Sequence, residues 1–277
     1  MGNNLISAHL ITHQCVTLDF CLEATIRSMM GLCDDIYIND GQSDDGTLDI
    51  LYSLQREYGK DRVNIFVREW QHNRRMWADE KNFILDKIPN DAYVLCIDAD
   101  EVLHEDEMPL VKKAVEDRYS AISFNVIHFY GRPTNFIEGG AWYKRHTRLW
   151  KRSTGIHLVH RAKGCADDVI WPDGTLAHLS RNFNCGANIY HYGNCRSPKA
   201  LGMKAKKADD LYQYSKDYVG GKLAEPRSFT YAFDKIDTKI FTGKHPKYIK
   251  EWYDSHKDQA TEYKLDDEIN KLWCFEE

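Results

Sequence analysis

Nowhere in this chain of 277 residues does an apolar run approach the roughly 18 residues a helix needs to cross a bilayer. No membrane span is therefore expected. Met1-Gly2-Asn3-Asn4 lacks a basic segment leading into an apolar core, so no secretory signal is expected either. Ile6 stands where acylation at Gly2 would want Ser or Thr. The eight cysteines include no CxxC pair, and Cys21 and Cys96 sit inside apolar patterns, where cysteine acts as a small hydrophobe. That usage fits a reducing, cytoplasmic compartment. A zinc site built from Cys165, His178, Cys185, His191 and Cys195 would depart from the common ligand spacings. There is no excess of positive charge: 37 Lys and Arg against 42 Asp and Glu give a net charge of −5, which argues against a dedicated nucleic-acid binder. Internal repeats and low-complexity segments are also missing.

What is present is enough material for a large core, with 43% hydrophobic and 29% charged residues. One main domain with a C-terminal elaboration is expected. Strand and helix signals alternate over the first 120 or so positions. Leu5–Ile11 reads as a strand; a helical stripe from Leu18 follows through Cys21, Leu22, Ile26, Met29 and Met30, with Thr17 as its N-cap. Ile36–Ile38 is a second strand, a helix carries Leu48, Leu51, Leu54 and Tyr58, and Val63–Val67 is a third strand. Met76–Ile88 reads as a helix and Tyr93–Ile97 as a fourth strand. Strands separated by helices of this length predict a parallel sheet with right-handed crossovers. Beyond Arg118 the chain turns to strands over Ala121–Phe129, Arg148–Trp150 and Ile156–His160, then to a helix over Pro198–Tyr218 broken at Gly220-Gly221, and ends in an aromatic-rich tail.

The strand Tyr93–Ile97 runs straight into Asp98-Ala99-Asp100-Glu101. Continuous apolar character predicts burial on both sheet faces. In extended chain Asp98 and Asp100 point to the same side. Two carboxylates that close call for a cation, and hard oxygen ligands favour Mg²⁺ or Mn²⁺. Alone, such a pair reads equally as a solvated acidic loop. Ligands in open α/β sheets, however, bind beyond the carboxyl ends of strands, and Asp40 ends the second strand just as Asp98 ends the fourth.

Asp40-Gly41-Gln42-Ser43-Asp44-Asp45-Gly46-Thr47 followed by Asp98-Ala99-Asp100 resembles the family-2 glycosyltransferases of the GT-A fold. That family carries a strand, then D-G-S-x-D-G-T, then a strand ending in DxD; here Gln42 is inserted before Ser43. The resemblance extends to the branch with an aromatic-x-x-A-R-N segment, matched by Trp77-Ala78-Asp79-Glu80-Lys81-Asn82, with Lys81 in the usual Arg place. Arg148-Leu149-Trp150 matches that branch's R-L-F element, and His191-Tyr192-Gly193 its H-x-G. The match spans residues 5–215, while the Gly243-Lys244-His245-Pro246 tail carries little specific information.

The resemblance implies an α/β, GT-A, Rossmann-like and mainly parallel sheet flanked by helices. Its domain would cover residues 1–220, with a nucleotide-binding half (1–120), an acceptor-side half (121–220) and a helical, aromatic extension (221–277). It implies a metal-dependent, inverting transfer from a nucleotide-diphosphate sugar, UDP-linked, to an acceptor that is a glycan, lipid-linked group, protein or nucleic acid. Ile11 and Thr12 would line the base pocket and Asp40 would bond the base. Asp98 would sit at the ribose or a metal-bound water, and Lys81 would attract diphosphate. Asp98, Asp100 and His191 would hold Mn²⁺ or Mg²⁺. The branch's His-Glu is here His160-Arg161, so four bases stay open: Asp168, Asp167, His160 and Glu138. Trp142 and Trp171 could stack on a sugar. The basic stretch Lys144, Arg145, Arg148, Lys151, Arg152, Arg161 and Lys163 is read as a solvated face or a diphosphate or acceptor site. Two rival readings are a nucleotidyltransferase, although Thr12-His13-Gln14-Cys15 lacks its phosphate-cradling glycines, and a non-catalytic sugar-nucleotide module. The aromatic tail could form an oligomer interface.

Overall fold

Continuous apolar runs at the start of the chain can be buried only if both faces of a sheet are covered, and that is how they are used. The computed structural model describes residues 5–71, 73, 75–138, 143–160, 167–204, 229–230, 236–258 and 262–263. Four strands, β1 (Ile6–Thr12), β2 (Asp35–Asp40), β3 (Val63–Val67) and β4 (Tyr93–Cys96), pair in parallel in the order β4-β1-β2-β3. Helices α1 (Leu22–Leu32), α2 (Thr47–Tyr58) and α3 (Met76–Leu85) connect them. Side chains alternate as the pleat requires. Ile6, Ala8 and Leu10 of β1 join Ile26 and Met29 of α1 in one core. On the other face Val94 and Cys96 of β4 join Ala78 and Leu85 of α3 in a second.

Beyond β4 the chain adds β5 (Glu101–Leu103), α4 (Met108–Glu116), β6 (Ala121–Tyr130), β7 (Arg132–Ile137) and β8 (Arg145–Lys151). A hairpin of β9 (His157–His160) and β10 (Asp167–Ile170) follows, then the long β11 (Phe183–Asn194). The sheet is mixed. β8 inserts between β4 and β6 antiparallel to both, β7 extends the edge, and β11 runs parallel to β6 and antiparallel to β5. The segment Thr238–Ile240 pairs with β7, and His245 packs on Phe129 with ring centroids 5.0 Å apart. Within Gly243–Pro246, Pro246 is buried and His245 packs on the sheet, while Gly243 and Lys244 are exposed. No helix among the described residues is long and apolar enough to cross a membrane.

Two helix boundaries differ from the expected ones. The first helix starts at Leu22 rather than Leu18, and Thr17 does not cap it. The Thr17 amide donates instead to the Asp45 carboxylate at 2.6 Å, and Asp19 takes a left-handed φ of 56° that interrupts any helix there. The third helix stops at Leu85 rather than Ile88, because Pro89 disfavours helical backbone just before it. Residues 198–204 are helical. The rest of the helix expected to residue 218, the Gly220-Gly221 break and Trp142, Arg161, Lys163 and Cys165 lie outside the described residues, as does the Asp167 side chain. The zinc cluster does not assemble among the described residues. Cys185 and Cys195 pack in different cores, His178 stacks near His146, and His191 meets His128.

Ile38 sits in the middle of β2, fully buried between β1 and β3. Ile38→Ala is expected to cost about 2–5 kcal/mol, read as a lower midpoint in urea denaturation.

Candidate active site

The turn after β2 is organised by a buried carboxylate. Asp40 has no exposed surface. Its Oδ2 accepts from the hydroxyls of Thr12 and Ser43, both at 2.8 Å, and its Oδ1 from the Ser43 amide at 2.7 Å. Burial pushes its carboxyl above the usual range, and these three bonds oppose the rise. The inserted Gln42 is accommodated by a left-handed φ of 58°. Gly41 is required by close approach, since a Cβ there would lie 2.7 Å from His13 and 2.9 Å from Trp70. Asp45 and Thr47 then hold the β1–α1 loop through the amides of Cys15 and Thr17. The expected direct bond from Asp40 to a base finds it enclosed by Thr12 and Ser43. Its work in this structure is to tie the end of β1, at Thr12, to the turn after β2.

The acid cluster after β4 does not behave as a continuing strand. The chain turns, with the Glu101 amide donating to the Asp98 carbonyl at 3.0 Å, so Asp98 and Asp100 diverge instead of sharing a side. Asp98 Oδ1 accepts from Lys81 Nζ at 2.6 Å and its Oδ2 from Arg148 at 2.9 Å. Arg148 also binds Glu101 at 2.6 Å, and Glu101 accepts the Asp98 amide at 3.0 Å. Burial works against ionisation of Asp98, but Lys81 and Arg148 overcome it and hold the carboxyl well below the usual range. Asp98 is thus engaged by two protein cations.

Asp100 turns the other way. It pairs with Arg196, which is wholly buried, and Lys204 Nζ stands 4.0 Å from it. Despite burial, Arg196 and then His191 bring its carboxyl down to about 2. His191 Nε2 lies 3.7 Å from Asp100 Oδ1, too far for a hydrogen bond. Burial lowers His191 to about 3, so the imidazole is neutral. A neutral nitrogen and a carboxylate oxygen are donor types that would suit a divalent cation. The H-x-G glycine explains itself here: a Cβ on Gly193 would lie 2.5 Å from both Asp100 Oδ2 and His191 Nε2. Asp100 and His191 therefore fit a metal ion, with further ligands left to a bound diphosphate.

The four candidate bases fall in different places. Glu138 ends β7 near the sheet edge, pairs with Lys239 and is half exposed. His160, Asp167 and Asp168 lie on the β9–β10 hairpin, where Asp167 pairs in register with His160. Asn82 of α3 locks this hairpin, donating to the Leu158 carbonyl at 2.7 Å and accepting its amide at 3.0 Å. Leu158 and Val169 pack inward beside α3, and His160 shares that face, while Asp168 lies on the opposite one. Trp171 is core, with Arg181 over its ring. The basic stretch is no single face: Arg148 is buried in the site, and Arg152 caps the end of α3 through the Leu85 carbonyl.

The profile of the family described as glycosyl transferase family 2 matches residues 7–166, more than half the chain. The chain belongs to glycosyl transferase family 2. No protein of curated function matches it significantly. Similar solved structures include the Pyrobaculum calidifontis mannosyltransferase PcManGT in complex with GDP-Man and Mn²⁺, at 15% identity and TM-score 0.35, covering 48% of this chain and 37% of that one. Residues 1–349 of S. aureus TarS in complex with UDP are similar at 11% identity and TM-score 0.43, covering 77% and 67%. The 4-diphosphocytidyl-2C-methyl-D-erythritol synthase of Anaerococcus prevotii is similar at 13% identity and TM-score 0.36, covering 54% and 71%. This chain thus spans little over a third of the mannosyltransferase's length.

Within this family-2 chain, sequence reading missed the cations that set the acids. Arg196 reaches Asp100 across 96 positions of sequence, and only its burial distinguishes it from a surface arginine. His128, bonded to His191, carried no signal either. Asp100 supplies a pH test. Its folded pKa of about 2 lies below the ordinary carboxylate value of 3.8, so its stabilisation is complete above the unfolded value and is lost as pH falls through the folded one. The stability difference between the wild type and Asp100→Asn is expected to narrow by about 2 kcal/mol as pH drops from 5 towards 2, measured by urea unfolding at each pH.

Proposed function

We propose that this chain is a metal-dependent, inverting glycosyltransferase that moves a sugar from a nucleotide-diphosphate donor, UDP-linked, to an acceptor hydroxyl. The observation that carries the reading is the Asp100–His191 pair closed over Gly193 beside the ion-paired Asp98, in a family-2 chain. Main chain at Ile11 and Thr12, at the end of β1 tied to Asp40, lines the base site. Lys81 and Asp98 face the ribose and diphosphate. Asp100 and His191 hold Mn²⁺ or Mg²⁺, which when bound neutralises charge building on the leaving diphosphate. Lys204, half exposed and 4.0 Å from Asp100, adds a cation on the same side. Charge at the leaving group is the dominant demand of such a transfer.

For the base, the hairpin geometry favours His160 over Glu138 and Asp168, and imidazole chemistry favours it over Asp167. His160 shares the α3-facing side of a hairpin held by Asn82, next to the helix that delivers Lys81 to Asp98. Imidazole also suits proton acceptance near neutral pH. The six described cysteines are all buried as thiols, which accords with a cytoplasmic location. The tail segment 238–240, bonded to β7, accords with residues 221–277 serving as an extension of a 1–220 catalytic domain.

Incubation with a panel of nucleotide sugars is expected to release UDP from one UDP-sugar in a Mn²⁺-dependent way. Asp100→Ala should lower that rate about 100-fold or more. Release unaffected by chelation, or retained in Asp100→Ala, sinks the metal-dependent reading. Binding of every donor tried without turnover would point to a non-catalytic module instead. His160→Ala is expected to lower kcat for transfer by about 10²- to 10⁴-fold with donor KM unchanged, whereas Glu138→Ala should leave both constants alone. The reverse pattern in steady-state kinetics would move the base to the β7 edge.

A further inference from the structure

His128 and His191 occupy paired positions on the parallel strands β6 and β11, so the sheet itself brings the two rings together. Their Nδ1 atoms are 2.9 Å apart, with the ring planes crossed at 81°. His128 is nearly fully buried, and its Nε2 lies 2.8 Å from the carbonyl oxygen of Tyr143. These contacts determine where the protons are. A carbonyl only accepts, so His128 Nε2 carries a hydrogen and donates it. A neutral imidazole carries a single hydrogen on one nitrogen and accepts at the other. His128 Nδ1 is then a lone pair, and a 2.9 Å contact between two Nδ1 atoms requires His191 to supply the hydrogen. His191 Nε2 is left as a bare lone pair, and it faces Asp100 Oδ1 at 3.7 Å. The opposite tautomer would set two lone pairs against each other at 2.9 Å and gain no hydrogen bond from Asp100 at that distance.

We propose that His128 is a positioning residue for the metal ligand His191: oriented by the Tyr143 carbonyl, its ring takes the Nδ1 hydrogen of His191 and turns the Nε2 lone pair to the cation site beside Asp100. A ligating imidazole is oriented by what its other nitrogen donates to, and losing that partner weakens metal binding by about 10- to 100-fold. In this chain the partner is a second histidine, and a backbone carbonyl two rings away sets the tautomer. The inference rests on Asp100 and His191 being the metal ligands proposed above, although the tautomer itself does not.

Two measurements separate these layers. In ¹⁵N-histidine-labelled, metal-free protein, long-range ¹H–¹⁵N NMR is expected to show His191 protonated at Nδ1 in the wild type, and shifted toward Nε2 or a mixture in His128→Phe. A wild-type His191 protonated at Nε2 overturns the proposal whatever the protein binds. Mn²⁺ titration followed by electron paramagnetic resonance, with UDP present, is expected to show His128→Phe binding about 10- to 100-fold more weakly. His128→Gln, whose side-chain oxygen can accept the same hydrogen, should restore most of the affinity. In a His191→Ala background, His128→Phe should have no further effect. Equal Mn²⁺ affinity in wild type and His128→Phe overturns the positioning role alone. The same loss in the His191→Ala background shows a general structural effect and also overturns it. Wild type that binds no Mn²⁺ overturns the metal reading together with this proposal.

Discussion

Balanced charge in a nearly dry site is the constraint on which the rest of this structure depends. Asp98, Asp100 and Glu101 are met by Lys81, Arg148 and Arg196, and all but Asp98 are at most 5% exposed. Removing one partner of such a pair costs about 3–5 kcal/mol, because the other charge is left buried and uncompensated. The cations come from α3, from β8 and from the chain just after β11. The site is therefore complete only when both halves of the sheet have assembled. The protein's own cations also divide the labour between the acids. Asp98 and Glu101 are held within a salt-bridge network, and Asp100 alone faces a second metal-type donor.

Close approach enforces the geometry elsewhere. Gly41 lets the turn after β2 lie against His13 and Trp70, and Gly193 leaves room for Asp100 and His191 to close over the backbone. In both places a single methyl group would occupy the volume that the polar side chains use. The parallel pairing of β6 with β11 does the complementary work by bringing two histidines to the same level of the sheet. Rigid strands rather than loops thus set the neighbours of the His191 ring and hold it in place.

The nucleotide half was legible because its signals are local. The run Tyr93 to Ile97 is buried on both faces and so is apolar throughout, and the stripe on α2 follows the 3.6-residue period. The start of α1 was misread because the stripe continues back to Leu18, whereas Asp45, from a loop distant in sequence, takes the amide of Thr17. The part of the sheet beyond β4 was harder. β8 inserts out of order between β4 and β6, and β11 crosses back to pair with β6, arrangements that no local pattern announces. The tail around His245 looked uninformative, yet it packs on Phe129 and Tyr192 in the core.

By itself the sequence determined the order of strands and helices, the two strand ends bearing Asp40 and Asp98, and the kinship of its motifs. Each of these depends on residues that lie close together along the chain. Only the tertiary structure decided what each acid does. It enclosed Asp40 beneath Thr12 and Ser43, gave Asp98 to Lys81 and Arg148, and turned Asp100 toward Arg196 and His191. The physical reason is that a carboxylate's role is set by its nearest charges and donors, and the cations that meet Asp98 and Asp100 arrive from 17 to 96 residues away.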